Sequence, residues 1–183
     1  MSIRTIGHSN HAWPAFRRLL DLHGIGAIAD VRSRPRSRLP HFTAPRFRAN
    51  LNQVGVAYVF LGDQLGGMPA HGPHRYEDMA QTIAFRTGIA RLIEIMPRTR
   101  LAICCSEHEV LECHRFLLIS RHLTEHGVEV QHIHRDGSIE THLEAEQRLL
   151  ARTRVQPDLL GTREDVLAEA YRRQEMRLRG EFA

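Results

Sequence analysis

Apolar positions fall along the chain in short runs that alternate with stretches at helical spacing. Ile3 to Ile6 reads as a strand that ends at Gly7-His8-Ser9-Asn10. The spacing of Phe16, Leu19, Leu20 and His23 predicts a helix that Pro14 opens and Gly24 ends. Gly26 to Val31 reads as a second strand, apolar except for Asp30 near its end. An Arg- and Pro-rich loop, Arg32 to Pro45, leads to a short helix around Arg46 to Val54 and a third strand, Ala57 to Phe60. Gly62 to Tyr76 is rich in Gly, Pro and His and reads as a long loop, the kind of segment that serves as a lid or binding element. Helical spacing returns from about Met79 to Met96, with Ile83, Ala90 and Ile93 on one face. Leu101 to Cys105 forms a fourth strand, a helix from Leu111 to His126 stops at Gly127, and Glu129 to Ile133 forms a fifth. The tail from about Glu140 reads as helical with no further strand, and Thr162-Arg163-Glu164-Asp165 is a capping box for a last helix carrying Val166, Ala170 and Tyr171.

Strands alternating with long helices require crossover connections, so the expected fold class is α/β. We expect a single domain over 1–183: a mainly parallel sheet of about five strands with helices on both faces (core about 1–135) and a helical C-terminal extension over about 140–183. No apolar run approaches the roughly 18 residues of a transmembrane helix. The first residues enter a strand at once, leaving no room for a signal peptide. Three cysteines, two of them adjacent, do not suggest a secreted disulfide framework. The expected setting is the cytoplasm, with no membrane partner.

The formal net charge is +4, a mild excess and not the footprint of a dedicated nucleic-acid binder. Every basic residue in that balance is Arg. With no Lys, a lysine Schiff base, a Walker-type phosphate lysine and a lysine general base are excluded.

In an open parallel sheet, ligands bind beyond the carboxyl ends of the strands. Three expected strands end in polar groups: Gly7-His8-Ser9, Asp30-Val31-Arg32 and Cys105-Ser106-Glu107. If those strands are neighbours, the three sets meet. Asp30 ends a buried strand and needs a partner, either a structural ion pair with Arg32 or Arg115 or a role in chemistry. The alternate arginines Arg32, Arg34, Arg36 and Arg38 form either a solvated loop or a clamp for phosphate or carboxylate. Cys105-Ser106-Glu107, five residues, then Cys113-His114-Arg115 places thiol, imidazole and guanidinium at the start of a helix, where anions such as a thiolate are favoured. Cys105, Cys113, His114 and His8 are also zinc-type ligands, although seven residues between the thiols is not a standard zinc spacing. Cys104, pointing the other way along the strand, belongs to the core. The glycines of Leu61-Gly62-Asp63-Gln64-Leu65-Gly66-Gly67 can bring backbone N–H groups up to a ligand, but they do not match a standard phosphate loop.

Thr5-Ile6-Gly7-His8-Ser9, Asp30-Val31-Arg32 with Pro35 and Ser37, Tyr58 with Leu61-Gly62 and Leu65-Gly66-Gly67, and the Cys105-x-Glu107 to Cys113-His114-Arg115 block followed by His132-Ile133 occur in order along the chain. As a set they resemble the bacterial family called domain of unknown function 488. Pro157-Asp158-Leu159-Leu160 and Glu169-Ala170-Tyr171-Arg172-Arg173-Gln174 resemble tails in that family. The resemblance implies an α/β fold and a shared polar site at His8, Ser9, Asp30, Arg32, Cys105, Glu107, Cys113, His114 and Arg115, without implying a reaction or a cofactor. One departure is the vicinal pair Cys104-Cys105 where a single cysteine is expected, which leaves open which thiol faces the site.

Three readings follow. The first is an enzyme, or a sensor descended from one, for a small anionic ligand such as a nucleotide or phosphorylated metabolite. In it Cys105, Glu107, Cys113 and His8 are the chemical groups, and Ser9, Asp30, Arg32, His114 and Arg115 bind the ligand. The second is a nucleic-acid-associated protein using the Arg32–Arg48 loop and Arg172, Arg173, Arg177 and Arg179 of the last helix. The third is a metal site on Cys105, Cys113 and a histidine. The cofactor and the oligomeric state are left undetermined.

Overall fold

The structure, a computed structural model, describes residues 1–156 and 162–181. The chain runs through β1 (Ser2–Gly7), α1 (Trp13–Leu22), β2 (Ala27–Asp30), α2 (Ala44–Gln53), β3 (Ala57–Phe60), α3 (Gly62–Leu65), α4 (Tyr76–Ala80), α5 (Ile83–Ile95) and β4 (Leu101–Cys105). A π-helical turn, Arg115–Ser120, then runs directly into α6 (Arg121–Glu125), followed by β5 (Glu129–Ile133), β6 (Ile139–Thr141), α7 (His142–Thr153) and α8 (Arg163–Leu178).

The sheet has the order β3-β2-β4-β1-β5-β6, parallel except for β6, which pairs antiparallel with β5. Alternation along the strands sorts the core into two layers. Ile6, Ile28, Ala102 and Cys104 face Phe16, Leu19 and Leu20 of α1 and Phe47 and Leu51 of α2. Ile3, Ala27, Ala29, Ile103 and Cys105 face the opposite layer, with Leu65 of α3, Phe85, Ile89 and Leu92 of α5 and Leu123 of α6. A third cluster joins Phe116 and Leu117 to Ala145 and Leu149 of α7 and to Ala170 and Tyr171 of α8, and so docks the C-terminal helices. A buried polar chain reinforces this docking. Thr5 Oγ1 meets His132 Nδ1 at 2.8 Å, His132 Nε2 meets His142 Nδ1 at 3.2 Å, and Tyr171 Oη lies 3.0 Å from both His142 Nε2 and Glu146 Oε1.

The α/β class, the five parallel strands and the capping box at Thr162 match expectation. Several boundaries differ. The tail contains a sixth strand, β6, where only helix was expected. Its hairpin turn holds Gly137 at φ 90°, with His134 N–H donating to the Ser138 carbonyl. The segment from Met79 to Met96 is two helices, because the Thr82 hydroxyl caps a new one by accepting from Phe85 N–H. The stripe of Ile83 and Ala90 points outward (Ile83 is 84% exposed), and the buried face is Phe85, Gly88, Ile89 and Leu92. The expected loop from Gly62 begins with α3. His23 is only half-buried, its Nε2 meeting the Gly137 carbonyl at 3.1 Å. The Pro157-Asp158-Leu159-Leu160 motif lies outside the described residues.

Candidate functional site

β4 lies between β1 and β2, with Gly7 beside Cys105 and Asp30 beside Cys104. The three polar strand ends are therefore neighbours. The helices that follow β1 and β4 pack on opposite faces of the sheet, so a crevice is expected between these carboxyl ends.

Asp30 is fully buried and Arg32 is 4% exposed. The guanidinium pairs bidentately with the carboxylate: Nε donates to Oδ1 at 2.8 Å and Nη2 to Oδ2 at 2.6 Å. Tyr58 Oη also donates to Oδ2, at 2.8 Å. The remaining nitrogen, Nη1, donates to the Phe42 carbonyl at 2.8 Å and meets His8 Nε2 at 3.1 Å. Desolvation opposes the charge on Arg32, but the Asp30 pairing outweighs it and raises the pKa. Every nitrogen of Arg32 thus has an internal partner, and Arg32, not Arg115, neutralises Asp30.

The second cluster forms where β4 ends. Strand alternation points Cys104 into the α1/α2 layer and Cys105 toward Cys113, which settles which thiol belongs to the cluster. Cys105 Sγ and Cys113 Sγ are 2.7 Å apart as free thiols, and Cys113 Sγ donates to Glu107 Oε2 at 3.0 Å. Arg115, with no exposed surface, donates from Nη1 to Cys105 Sγ at 2.7 Å and to the Glu107 carbonyl at 2.6 Å, and from Nη2 to the His108 carbonyl at 3.2 Å. Its Nε is buried without a partner among the described residues. Gly7 makes room for this arrangement, since a Cβ there would lie 1.9 Å from the Glu107 carbonyl oxygen and 2.9 Å from Arg115 Nη1. Arg115 opens the π-helical turn, a local geometry that recurs at functional sites.

Electrostatics separate these groups. Glu107 is exposed as a residue, yet partial desolvation of its carboxylate works against charge; His114, the Cys105 and Cys113 thiols and its own backbone N–H outweigh this and hold its pKa at about 2. Burial and the neighbouring Cys105 push the Cys113 thiol well up, so it remains a protonated donor. Desolvation lowers His114 despite the nearby Glu107, and its Nε2 donates to the Val31 carbonyl at 3.1 Å, which leaves Nδ1 as the acceptor, 3.8 Å from Cys113 Sγ. Cys105, Glu107 and Cys113 present ligand atoms within 4.8 Å of one another, a donor set suited to zinc. The Arg115 guanidinium on Cys105 Sγ sets a fixed positive charge against a cation there.

A cleft of about 580 Å³ opens over Glu107 and His114. Arg32, Ser33 and Arg34 line it after β2, Gly67 to Pro69 after α3, His74 before α4 and Tyr76 at its first position, and Leu178 and Arg179 at the end of α8. Gly67 packs on the His114 ring, which a Cβ would approach to 2.7 Å, so this glycine serves close packing. Arg34 is exposed, and among the described residues its guanidinium has no hydrogen-bond or ion-pair partner.

Of the residues singled out from sequence, Cys105, Glu107, Cys113, His114 and Arg115 form one contact cluster, and His8, Asp30 and Arg32 form an adjoining one. His8 is 4% exposed, stacks on Phe42 at 4.3 Å and bonds through Nδ1 to the Ser9 carbonyl; desolvation, with Arg32 adding to it, lowers its pKa to about 4. Ser9 takes φ 44° and ties its N–H to the Ser106 carbonyl at 3.0 Å, while its hydroxyl donates to Asn10 Oδ1 at 3.5 Å. Of the nine residues that the resemblance placed in the site, Arg32, Glu107 and His114 line the cleft, joined by Arg34 of the arginine run and Gly67 of the glycine-rich stretch. His74 and Tyr76 lie in the Gly62 to Tyr76 segment read as a binding element but were not named as site residues, and Arg179 carried a signal only as part of the basic last helix.

No curated protein and no solved structure matches the chain. The family described as Domain of unknown function DUF488 matches residues 12–122, from just before α1 into α6, leaving His8, Ser9 and the C-terminal helices outside the match. That span covers more than half of the chain and includes Asp30, Arg32 and the whole Cys105 to Arg115 block, and the protein therefore belongs to the DUF488 family.

Proposed function

We propose that this chain is an enzyme or sensor that binds a small phosphorylated ligand, a nucleotide or sugar phosphate, in the cleft over Glu107 and His114. One observation carries the reading: the cleft holds both the unpartnered, exposed guanidinium of Arg34 and the ionised carboxylate of Glu107. A guanidinium matches a phosphate. An ionised carboxylate accepts hydrogen bonds and donates none, which suits the hydroxyl or amino donors of a sugar or base. Arg32 and Arg115 support the site from below, because the Arg32 nitrogens and both terminal nitrogens of Arg115 already serve Asp30, Phe42, Cys105 and two carbonyls. Cys105 and Cys113, at most 1% exposed, sit behind Glu107 and hold it, as His8 does for Arg32.

The test is a thermal-shift screen of nucleotides and sugar phosphates against wild type, Arg34→Ala and Glu107→Gln. A ligand at about 100 times its Kd stabilises by roughly 2.7 kcal/mol, which is roughly 5–10 °C for a chain of this size. The reading predicts such a shift for at least one phosphorylated compound, and its loss in both variants. No shift across the screen, or a shift that both variants retain, overturns it.

The nucleic-acid reading draws on the stretch from Val31 to Leu61, which carries Arg and no Asp or Glu. Arg32 is buried, however, and Arg172, Arg173 and Arg179 pair with Glu169 or Glu175, so fewer free phosphate contacts remain than the sequence promised.

A further inference from the structure

Two of the three thiols touch, and neither faces the cleft or the solvent. Cys105 ends β4 and Cys113 follows the turn Val110–Glu112, so their eight-residue separation closes a tight loop whose sulfurs meet at 2.7 Å. Cys104 is held on the other side of the sheet, in the α1/α2 layer, and cannot compete for either sulfur. Arg115 donates to Cys105 Sγ, where a guanidinium supports negative charge developing on sulfur. Glu107 Oε2 accepts from the Cys113 thiol and so fixes that thiol beside the Cys105 sulfur.

We infer that Cys105 and Cys113 are an oxidation site: a peroxide converts them into an intramolecular disulfide, and that bond withdraws the thiol hydrogen bond from Glu107. In the first step the Cys105 sulfur attacks one peroxide oxygen. The O–O bond breaks, a sulfenic acid forms on Cys105, and the other oxygen leaves as water after taking up the proton of the Cys105 thiol. In the second step the Cys113 sulfur attacks the Cys105 sulfur, the S–O bond breaks, and the departing hydroxide takes up the Cys113 proton and leaves as water. Two thiols are oxidised, one peroxide is reduced, and two waters are released. Afterwards neither sulfur carries a hydrogen, and Glu107 keeps its charge without the donor that steadied it. The consequence for ligand binding rests on the cleft reading above; the disulfide itself does not.

The experiment counts thiols in the whole folded chain. Reduced protein is incubated with hydrogen peroxide, unfolded, alkylated and weighed intact, then mapped by peptides. Three alkylated cysteines before peroxide and one after, with Cys105 and Cys113 recovered cross-linked and Cys104 alkylated, is the expected result. A dithiol reductant should restore all three. Cys104→Ala should still lose two thiols, which reads the pair even if Cys105→Ser or Cys113→Ser folds poorly. Three alkylated thiols after peroxide overturn the inference, as does stepwise overoxidation of either cysteine without a cross-link. So does a bound metal in native mass spectrometry that shields both thiols until it is chelated. Ligand affinity in the oxidised form should fall about tenfold or more, the scale of a lost hydrogen bond to a charged group. Unchanged affinity with the disulfide present overturns the control of Glu107. Absence of any ligand binding in the reduced form removes the cleft reading and leaves the thiol count as the measure of the pair.

Discussion

Asp30→Asn keeps the shape of the side chain and removes its charge. Arg32 would remain buried, with Nη1 on the Phe42 carbonyl and His8, and with no anion facing Nε and Nη2. Stripping one partner from a buried ion pair costs about 3–5 kcal/mol, because the other charge is left uncompensated. For a chain of 183 residues each kcal/mol is worth roughly 2–4 °C, so the melting temperature should fall by roughly 6–20 °C. The assay is thermal and urea unfolding followed by circular dichroism on Asp30→Asn, Arg32→Met and the double variant. Removing both members also removes the stranded charge, so the double variant should be at least about 1 kcal/mol more stable than the sum of the single losses predicts. If Asp30→Asn melts within about 2 °C of wild type, Arg32 does not depend on Asp30. The guanidinium would then be available to an external anion, and its assignment to the scaffold would be wrong.

Gly7→Ala forces a Cβ onto the Glu107 carbonyl, a backbone atom that cannot swing away; a loss of about 1–3 kcal/mol or more is expected. Faster hydrogen exchange across Cys105 to Arg115 should accompany it, and unchanged stability would contradict the packing described. Acid should destabilise the fold as pH falls below about 6.5. His8 falls from 6.5 to about 4 through desolvation and Arg32, and burial lowers His132 and His114 as well. A depressed histidine contributes stability that is complete above about 6.5 and is lost as pH falls toward the folded pKa, which for His8 alone amounts to at most about 3 kcal/mol. Urea midpoints measured between pH 7 and 4 should decline, and should decline less in His8→Phe; a flat profile would show that these rings titrate freely. Tyr171→Phe removes the hydroxyl that meets His142 and Glu146, and should cost about 1–2 kcal/mol. Limited proteolysis should then cut near Thr162 in the variant before the sheet is touched, and equal resistance of the two proteins would argue against this anchor.

Much of this was legible in the sequence because local rules decided it. Continuous apolar runs such as Ala27 to Ala29 and Leu101 to Cys105 suit strands covered on both faces. The buried strand end at Asp30 required a cation, and Arg32 supplied it two residues away. β6 was missed because three residues are too few to show alternation, yet Asp136-Gly137 between Ile133 and Ile139 is a recognised hairpin signal. Thr82 likewise carried a capping signal inside what read as one long helix. The choice between Cys104 and Cys105 hung on strand register, where a shift of one residue exchanges the faces. The cleft itself was not legible. Leu178 and Arg179 reach it because α8 docks through Ala170 and Tyr171 onto Phe116 and Leu117, a tertiary event with no local signature. Nor does spacing alone distinguish the exposed Arg34 from the buried Arg32.

The most direct test of the central claim is to locate the bound ligand by titrating a phosphorylated compound into ¹⁵N-labelled protein and following the backbone amide resonances. The account predicts saturable shifts at Ser33, Arg34, Gly67, Glu107, His114 and Arg179, the residues that enclose the cleft. Shifts confined to Arg36, Arg38, Arg46 and Arg48, or no shift with any phosphorylated compound, would contradict it.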